Sequence, residues 1–526
     1  MSQAPRSRRS PYWLLVPFFG LLAIPFAWAV AAMVVAGIAV SVVSTLRLAA
    51  ATRAAESALR AEGAGVVLGV DERGRPVFLS DRQIAAHGLI VGASGAGKTT
   101  TLLGILTDQI RRGRPVVAID MKGSPAFARE IARAAELAGR PFRLWTPDGP
   151  GHWNPLAHGN ATSLKDKLIA SERFTEPHYQ RAAERYVQTV IGVLQAARPG
   201  RPPQLAEVVA LMEPRRLSGM VRHLDRALAD RVQDYVSGLT RDQLSAVRGL
   251  GTRLAILSES DAGPYLAAAG AADGPTIDLR RTLEGGDVVV FSLNSSVYGK
   301  LAAHLGTLVI QDLVSNVGHR LARGEEGAPV QAVIGIDEFS ALGADNVLAL
   351  LARGREAGAA VLLATQELAD LDRAAPGFRD QVLGITSLKL AHRQDVPSSA
   401  QTIAQMIGTE RVWEETRVIP SPFGARGTGR GTRRQVEQFI VHPNEIKTLP
   451  TGQAVMITKT PVARTTRLRV TPPRSAPTPS SQPPARHDPS SRDDPQACHD
   501  PRAHDPPARH DAPRRGRGQA DPGVTR

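Results

Sequence analysis

Cysteines and aromatic residues are scarce in this sequence, and each scarcity excludes a class of structure. The 526 residues include one cysteine, Cys498, which excludes an internal disulfide and a metal site built from several cysteines. Aromatic residues make up 4% of the chain, whereas hydrophobic residues of all kinds reach 42%. The core is therefore built mainly from Ala, Val and Leu, as is typical of parallel sheets covered by helices.

The chain is longer than one typical domain and carries a net charge of +14. Half of this net charge, +7, belongs to residues 61–470, the part of the chain between the first 60 and the last 56 residues. Such an excess suits a polyanionic partner. A basic surface that serves only solubility explains the charge equally well.

Residues 11–46 contain no charged side chain. This run is too long for one ordinary transmembrane helix, slightly short for two, and far longer than the apolar part of a signal peptide. Arginines flank it in the basic N-terminus, residues 1–10, and in an Ala-rich linker helix expected at 47–62. Positive charge on both sides favours two spans with both ends in the cytoplasm over a single tilted span. We expect a protein of the inner (plasma) membrane with its bulk in the cytoplasm.

An α/β sheet domain is expected in two parts, residues 63–158 and 281–465. Two runs, 66–70 and 75–80, flank a turn and predict a β-hairpin. Further short apolar runs alternate with helical segments, which indicates a doubly wound parallel sheet. These runs are 89–91, 116–119, 288–293, 332–336, 360–364 and 385–390.

Two other regions depart from this alternation. Residues 159–280 are charged and helical in pattern, which predicts an all-helical insertion with helices near 181–194, 204–211, 217–239 and 244–257. Residues 466–526, most clearly after Val470, are rich in Pro, Arg, Asp and Ser and predict a disordered tail. We interpret its repeated His-Asp pairs as low-complexity sequence rather than as a metal site.

A phosphate-binding loop is predicted at residues 92–99, which match the pattern G-x-x-x-x-G-K-[S/T]. Glycines let the backbone N–H groups point at the phosphates, and the helix that follows directs its positive dipole end at the same anion. Lys98 would contact the β- and γ-phosphates of ATP, and the Thr99 hydroxyl would bind Mg²⁺. The expected nucleotide-binding residues are Gly92, Ser94, Gly95, Ala96, Gly97, Lys98, Thr99 and Thr100.

Two carboxylates follow the apolar run at 332–336. Asp337 is expected to join Thr99 in holding Mg²⁺, usually through water, and Glu338 to polarise the attacking water. Strand ends in such sheets lie at the ligand crevice, which supports both assignments.

Two further polar residues are candidates for catalytic roles. Gln366 follows the run at 360–364 and could sense the γ-phosphate; a simple turn residue is the alternative. Arg355, with Arg353 in reserve, could complete the site of a neighbouring subunit in a ring ATPase, where its charge stabilises the transition state. A surface salt bridge is the competing interpretation.

Taken in order, these motifs resemble the type IV coupling proteins of conjugation and secretion, the TraG/TraD kind, over residues 63–465. The remaining motifs that carry the resemblance are Asp120-Met121-Lys122-Gly123, Trp153-Asn154-Pro155-Leu156, His442-Pro443-Asn444-Glu445 and Leu449-Pro450-Thr451-Gly452. The family often has an acidic residue where this chain has Ser124, so no role is transferred to that position. Asp120 and Lys122 are expected near the nucleotide or in a structural ion pair.

The resemblance implies a RecA-like P-loop ATPase that forms a homo-hexamer. Such proteins are membrane-anchored DNA translocases whose all-helical domain faces the secretion channel, and they recruit a relaxase–DNA complex. An FtsK-type chromosomal translocase and a docking adaptor without turnover are the alternative functions. DNA contact could come from a Gly-rich basic stretch that lines a channel and tracks phosphates without reading sequence. A flexible, solvated hairpin is the alternative interpretation. The arginines of this stretch are Arg417, Arg426, Arg430, Arg433 and Arg434.

Overall fold

The computed structural model describes residues 65–473, apart from 171, 173, 175, 271–273, 323–331, 418–430 and 461–462, together with Met33, Gly37 and Val43. The predicted linker helix, nearly all of the predicted transmembrane stretch and the tail from 474 onward lie outside these residues. None of the helices in the described part is long and apolar enough to cross a bilayer. The transmembrane segments therefore stay a prediction.

One large mixed sheet forms the centre of the domain. Its strands are β1 (Gly65–Asp71), β2 (Pro76–Ser80), β3 (Gly88–Val91), β4 (Val116–Asp120), β5 (Phe142–Trp145), β8 (Val288–Ser292), β9 (Ala332–Asp337), β10 (Ala359–Thr365), β11 (Leu388–Ala391), β14 (Gln453–Thr458) and β15 (Arg464–Val470). They lie in the order β2-β1-β15-β14-β11-β3-β10-β9-β4-β8-β5. The strands from β11 to β5 pair in parallel, and the other four extend one edge in antiparallel pairing. The predicted parallel sheet and its hairpin are confirmed.

Helices cover both faces of this sheet, because alternate residues of each buried strand point to opposite sides. On β9, Val333 belongs to the hydrophobic core of one face, and Ile334 and Ile336 to that of the other. The covering helices are α1 (Asp81–Ala85), α2 (Lys98–Arg111), α3 (Pro125–Leu137), α10 (Leu279–Gly285), α11 (Ser295–Tyr298), α12 (Lys300–Ala322), α13 (Ala344–Gly354), α14 (Leu368–Ala374), α15 (Phe378–Ile385), α16 (Pro397–Ile407) and α17 (Pro443–Lys447). The strand predicted from residue 385 starts later, since Ile385 ends α15.

The insertion between β5 and β8 is mainly helical, but the range predicted to be all-helical, 159–280, also contains one short strand near its end. Its helices are α4 (Ala161–Ile169), α5 (Pro177–Ala197), α6 (Leu205–Leu211), α7 (Pro214–Val221), α8 (Arg226–Ser237) and α9 (Arg241–Ser258). The helix expected over 217–239 is divided in two, because the Asp225 side chain accepts hydrogen bonds from backbone N–H groups and caps the start of α8. Short strands β6 (His152–Trp153) and β7 (Thr276–Ile277) pair in parallel where the chain enters and leaves this insertion.

A buried ion pair fastens the insertion to the sheet domain. Lys167 of α4 lies 2.8 Å from Asp312 of α12, and both side chains are almost fully buried. The Asp312 carboxylate also accepts hydrogen bonds from the indole N–H of Trp153 (3.0 Å) and the amide of Asn316 (3.0 Å). Each buried charge thus has several partners, which is the condition under which such a pair is tolerated.

Two features lie near the C-terminal end of the described chain. Strands β12 (Thr409–Arg417) and β13 (Gly431–Phe439) form a separate antiparallel hairpin. Strand β15 runs to Val470 and pairs with β14 and β1. The expected boundary between residues 465 and 466 therefore falls inside a strand, and the sheet domain extends to Val470.

Candidate nucleotide-binding and catalytic site

The predicted phosphate-binding loop lies between the end of β3 and the start of α2. Gly97 has a φ of 118°, a left-handed value that favours glycine, and Lys98 begins the helix directly after it. A Cβ on Gly92 would lie 2.5 Å from that of His392, so only glycine fits there. Ser94 and Gly95 are exposed at the mouth of the loop, whereas Ala96 is buried beneath it. The helix N-terminus and the loop amides together form an anion-binding arrangement.

The Lys98 ammonium contacts carbonyl oxygens of its own loop. It donates to the backbone oxygens of Gly92 (2.6 Å) and Ala93 (3.3 Å). Burial lowers the pKa of Lys98, and the negative charge of Glu338 opposes that shift. A phosphate group would offer this ammonium a full negative charge in place of neutral carbonyls.

Thr99 and Asp337, the two expected metal-binding residues, are in direct contact. The Thr99 hydroxyl donates to Asp337 Oδ2 at 3.0 Å, while Asp337 Oδ1 is buried without a hydrogen-bond partner among the described residues. Burial raises the pKa of the Asp337 carboxyl, against the attraction of Lys122. A small cation that prefers oxygen ligands, such as Mg²⁺, would satisfy the unpaired oxygen and favour the ionised carboxylate. The residues therefore fit the predicted metal.

Glu338 lies one residue beyond β9 and is held in an unusual backbone conformation. Its φ of 58° and ψ of 47° fall in the left-handed region, which costs a residue other than glycine about 1 kcal/mol or more. Lys122 Nζ lies 2.6 Å from Glu338 Oε1. The neighbouring strands β4 and β9 explain this contact, because Asp120 and Asp337 pair in register and the two strands end side by side.

Asp120 shapes the loop that carries Lys122. Its carboxylate accepts hydrogen bonds from the backbone N–H groups of Lys122 (2.9 Å) and Ser124 (2.5 Å). Burial raises the pKa of Asp120. Ser124 caps the start of α3, where its hydroxyl accepts from the Phe127 N–H at 3.4 Å. Lys122 therefore lies in an ion pair with the expected catalytic base, while Asp120 binds backbone N–H groups.

Gln366 lies beside the phosphate-binding loop because β10 is inserted between β3 and β9. The N–H of Gly92 donates to the Gln366 carbonyl at 3.1 Å. The hydroxyl of the preceding Thr365 is fully buried and has no hydrogen-bond partner in the part of the chain that the structure describes. The end of β10 therefore places polar groups between the loop and the Asp337–Glu338 pair, where a γ-phosphate sensor would lie.

Arg353 and Arg355 lie near the amino ends of the parallel strands, whereas the phosphate-binding loop follows their carboxyl ends. Helix α13 returns the chain from the carboxyl end of β9 to the start of β10, and the two arginines lie at the end of this return. The first residue of β10, Ala359, pairs with Ala332, the first residue of β9. Both arginine side chains are exposed. The buried His87 holds this turn: its ring bonds the Leu351 carbonyl (2.9 Å) and accepts the Val361 N–H (3.0 Å). Arg355 is thus remote from the phosphate-binding loop of its own subunit.

Sequence reasoning missed His392, which directly follows β11. Its ring is fully buried and bonds the Thr101 hydroxyl of α2 and the Gln453 carbonyl, both at 2.9 Å. Burial lowers the pKa of His392 to about 4. Close by, the Gly452 N–H donates to the Ala96 carbonyl at 3.0 Å. The late Leu449–Gly452 motif thus packs under the phosphate-binding loop, although nothing in its spacing from residue 92 indicates this contact.

The predicted DNA-contacting arginines are described only in part. Arg426, Arg430 and the side chain of Arg417 lie outside the described residues. On β13, Arg434 pairs with Glu414 (2.9 Å), and Arg433 lies over the exposed Trp413 ring, 4.7 Å from its centroid. Their role in DNA contact stays a prediction.

The parallel strand order, the phosphate-binding loop after β3 and the carboxylate pair after β9 define a P-loop NTPase with a RecA-like sheet. Comparisons with known proteins agree. The family model "TraM recognition site of TraD and TraG" matches residues 331–451, and the model "Helicase HerA-like C-terminal" matches residues 66–139. No curated protein matches the chain by sequence.

Solved structures show the same fold. The bacterial conjugative coupling protein TrwB, in its unbound form, is 15% identical with a TM-score of 0.57, over 77% of this chain and 88% of that one. The plasmid coupling protein TrwB with ADP and Mg²⁺ is 16% identical with a TM-score of 0.53, over 79% and 92%. VirB4 of Thermoanaerobacter pseudethanolicus is 15% identical with a TM-score of 0.52, over 79% and 97%. The predicted resemblance to the type IV coupling protein family is confirmed.

Proposed function

We propose that this chain is a membrane-anchored ATPase that couples ATP hydrolysis to the recruitment and passage of DNA, or of a relaxase–DNA complex, into a type IV secretion or conjugation channel. The observation that carries the proposal is the contact between Thr99 and Asp337, with Glu338 one residue further on. This contact supports a metal-binding role for Thr99 and Asp337 and the role of a general base for Glu338 beside the phosphate-binding loop. A binding module without chemistry has no need of the base.

The residues divide the chemistry among them. Lys98 and the N–H groups of the loop bind the β- and γ-phosphates, while Thr99 and Asp337 hold Mg²⁺. When bound, Mg²⁺ supplies positive charge that offsets the charge on the phosphate oxygens. Glu338 accepts the proton of the attacking water, and Gln366 contacts the γ-phosphate from the end of β10.

The position of Arg355 supports a ring. An exposed arginine remote from its own phosphate-binding loop is available to the site of another copy of this chain, although a surface salt bridge is the competing role. We assign Arg355 to the neighbouring subunit's site in a homo-hexamer, with Arg353 in reserve. In such rings each active site needs two subunits, which links hydrolysis to assembly.

The proposed cargo and partners follow from the relatives. The coupling protein TrwB is described as conjugative and as binding ADP and Mg²⁺, and residues 331–451 match the region that recognises TraM in TraD and TraG. For this chain we propose DNA bound without sequence preference, a relaxase and channel components as partners. Residues 11–46 would anchor it in the inner membrane with its bulk in the cytoplasm.

The proposal is tested with purified full-length protein, by measuring DNA-stimulated ATP hydrolysis and the binding of ATP. Glu338→Gln is expected to bind ATP at least as tightly as the wild type and to lower turnover about 10²- to 10⁴-fold, the usual contribution of a general base. Lys98→Ala is expected to weaken binding itself. Glu136→Gln, an exposed carboxylate on α3, is the matched control and should change neither.

Undiminished turnover in the Glu338 variant would refute its assignment as the base. ATP binding by the wild type without any turnover would favour a docking adaptor. Activity that needs a particular DNA sequence would favour the FtsK-type alternative. Loss of DNA transfer between cells in the Glu338 variant would support the proposed cargo.

A further inference from the structure

The loop that follows β4 is built to hold one lysine in place. Asp120 bonds two of its backbone N–H groups, and the segment after β8 bonds it from the other side, through Ser295 N–H to the Met121 carbonyl (2.7 Å). Gly123 has a φ of 69° and packs against Asn294 so closely that a side chain would clash there. This support fixes the backbone of Lys122, while its side chain remains 42% exposed and free to change direction.

Three carboxylates, those of Glu338, Asp337 and Asp120, attract the charge of the Lys122 ammonium. It is paired with Glu338 at 2.6 Å, and that carboxylate is only 12% exposed. Burial opposes the charge of Lys122, but the hydrogen bond to Glu338 and the charges of Asp337, Glu338 and Asp120 raise its pKa above the ordinary value. Lys122 is therefore a cation throughout the physiological range. The ion pair holds one oxygen of Glu338 against Lys122, so that oxygen is not available to a water molecule.

Lys122 and the phosphate-binding loop contact neighbouring carboxylates: Lys122 lies 2.6 Å from Glu338, and Thr99 of the loop lies 3.0 Å from the adjacent Asp337. Burial lowers the pKa of Lys98, and the positive charge of Lys122 acts in the same direction. A terminal phosphate carries a charge of about −2, more than a single carboxylate, and offers three oxygens. The flexible four-carbon stem of lysine allows its ammonium to reach different neighbouring anions.

We propose that Lys122 exchanges partners during the nucleotide cycle: it pairs with Glu338 when no γ-phosphate is present and with the γ-phosphate when a triphosphate is bound. The exchange frees the Glu338 carboxylate only when there is a bond to hydrolyse, and it favours triphosphate over diphosphate. Lys122 is thus a positioning residue for the base. This inference rests on the proposed nucleotide site but not on the proposed cargo.

The test is a double-mutant cycle on the affinity of the full-length protein for a non-hydrolysable ATP analogue, measured by equilibrium binding with Mg²⁺. Glu338→Gln removes the ion pair and should tighten binding of the analogue, because Lys122 is then already unpaired before the analogue binds. In a Lys122→Met background, the gain in analogue affinity caused by Glu338→Gln should be about fivefold smaller. This difference corresponds to the free energy that a partly exposed ion pair contributes. The cycle cancels the direct repulsion between Glu338 and the phosphate, because that term is present in both backgrounds.

ADP is the matched ligand, and Lys122→Arg is the matched variant. Lys122→Met should weaken binding of the ATP analogue while leaving ADP binding unchanged, and Lys122→Arg should recover most of the loss. Additive effects of the two substitutions would overturn the exchange. An equal loss of ADP and analogue affinity would also overturn it, since that result indicates a structural role. A wild-type protein that binds no nucleotide would refute the proposed function as well.

Discussion

Buried histidine next to the phosphate-binding loop should make the stability of this protein depend on pH. His392 is fully buried, with one ring nitrogen on the Thr101 hydroxyl and the other on the Gln453 carbonyl. Burial lowers its pKa from 6.5 to about 4. The folded protein therefore holds His392 neutral, whereas the unfolded chain takes up a proton near pH 6.5. Its contribution to stability is complete above that pH and is lost as the pH falls toward 4.

The magnitude follows from the two pKa values. Between about pH 7.5 and about pH 5, a histidine with these values loses roughly 2 kcal/mol of folding free energy. His87 has the same shift, to about 4, with burial again the main cause. The two together should lower the free energy of unfolding by roughly 4 kcal/mol over this interval, a large part of the stability of an ordinary domain.

The assay compares urea unfolding of the wild type and of His392→Gln at both pH values. The variant will be less stable at the higher pH, but its loss between the two should be smaller than the wild-type loss by roughly 2 kcal/mol. Other titrating groups contribute equally to both proteins and cancel in the difference. His178, exposed at the start of α5, is the control position. Identical pH dependence of wild type and His392→Gln would refute the reasoning.

Two further predictions concern the buried ion pair and the ring. Lys167→Met leaves Asp312 buried without its cation and should destabilise the protein by about 3–5 kcal/mol in denaturant unfolding, with part of the loss restored by a second change, Asp312→Asn; a loss within experimental error would exclude a role for the pair. Arg355→Ala should lower turnover about 10³-fold or more without weakening ATP binding, whereas Arg353→Ala should leave turnover unchanged. Mixing Arg355→Ala subunits with Glu338→Gln subunits should restore activity, because some interfaces then join an intact base to an intact arginine; no recovery would contradict action between subunits.

Much of this architecture could be predicted from local patterns. The strand-like runs, the loop at 92–99 and the carboxylates at 337 and 338 all depend on short stretches of sequence whose residue types determine local conformation and chemistry. Apolar runs form buried strands, and glycines before a lysine form an anion cradle. The helical character of residues 159–280 was likewise evident from composition and period, although the break at Asp225 within one of its helices was not.

The partners of the site residues could not be predicted in the same way. Lys122 and Glu338 are far apart in the chain, and only the pairing of β4 with β9 brings their loops together. His392 reaches the phosphate-binding loop because β11 lies beside β3. Register between distant strands depends on the packing of the whole sheet, which no local pattern contains.

The sequence by itself thus predicted the kind of chemistry that we propose: a lysine and a threonine for phosphate and metal, and two carboxylates for metal and water. Only the tertiary structure decided the geometry that can regulate it. It set Lys122 against Glu338, and it placed Arg355 away from the phosphate-binding loop of its own chain. The physical reason is that residue types specify which interactions are possible, whereas the order of strands in the sheet selects which of them are made.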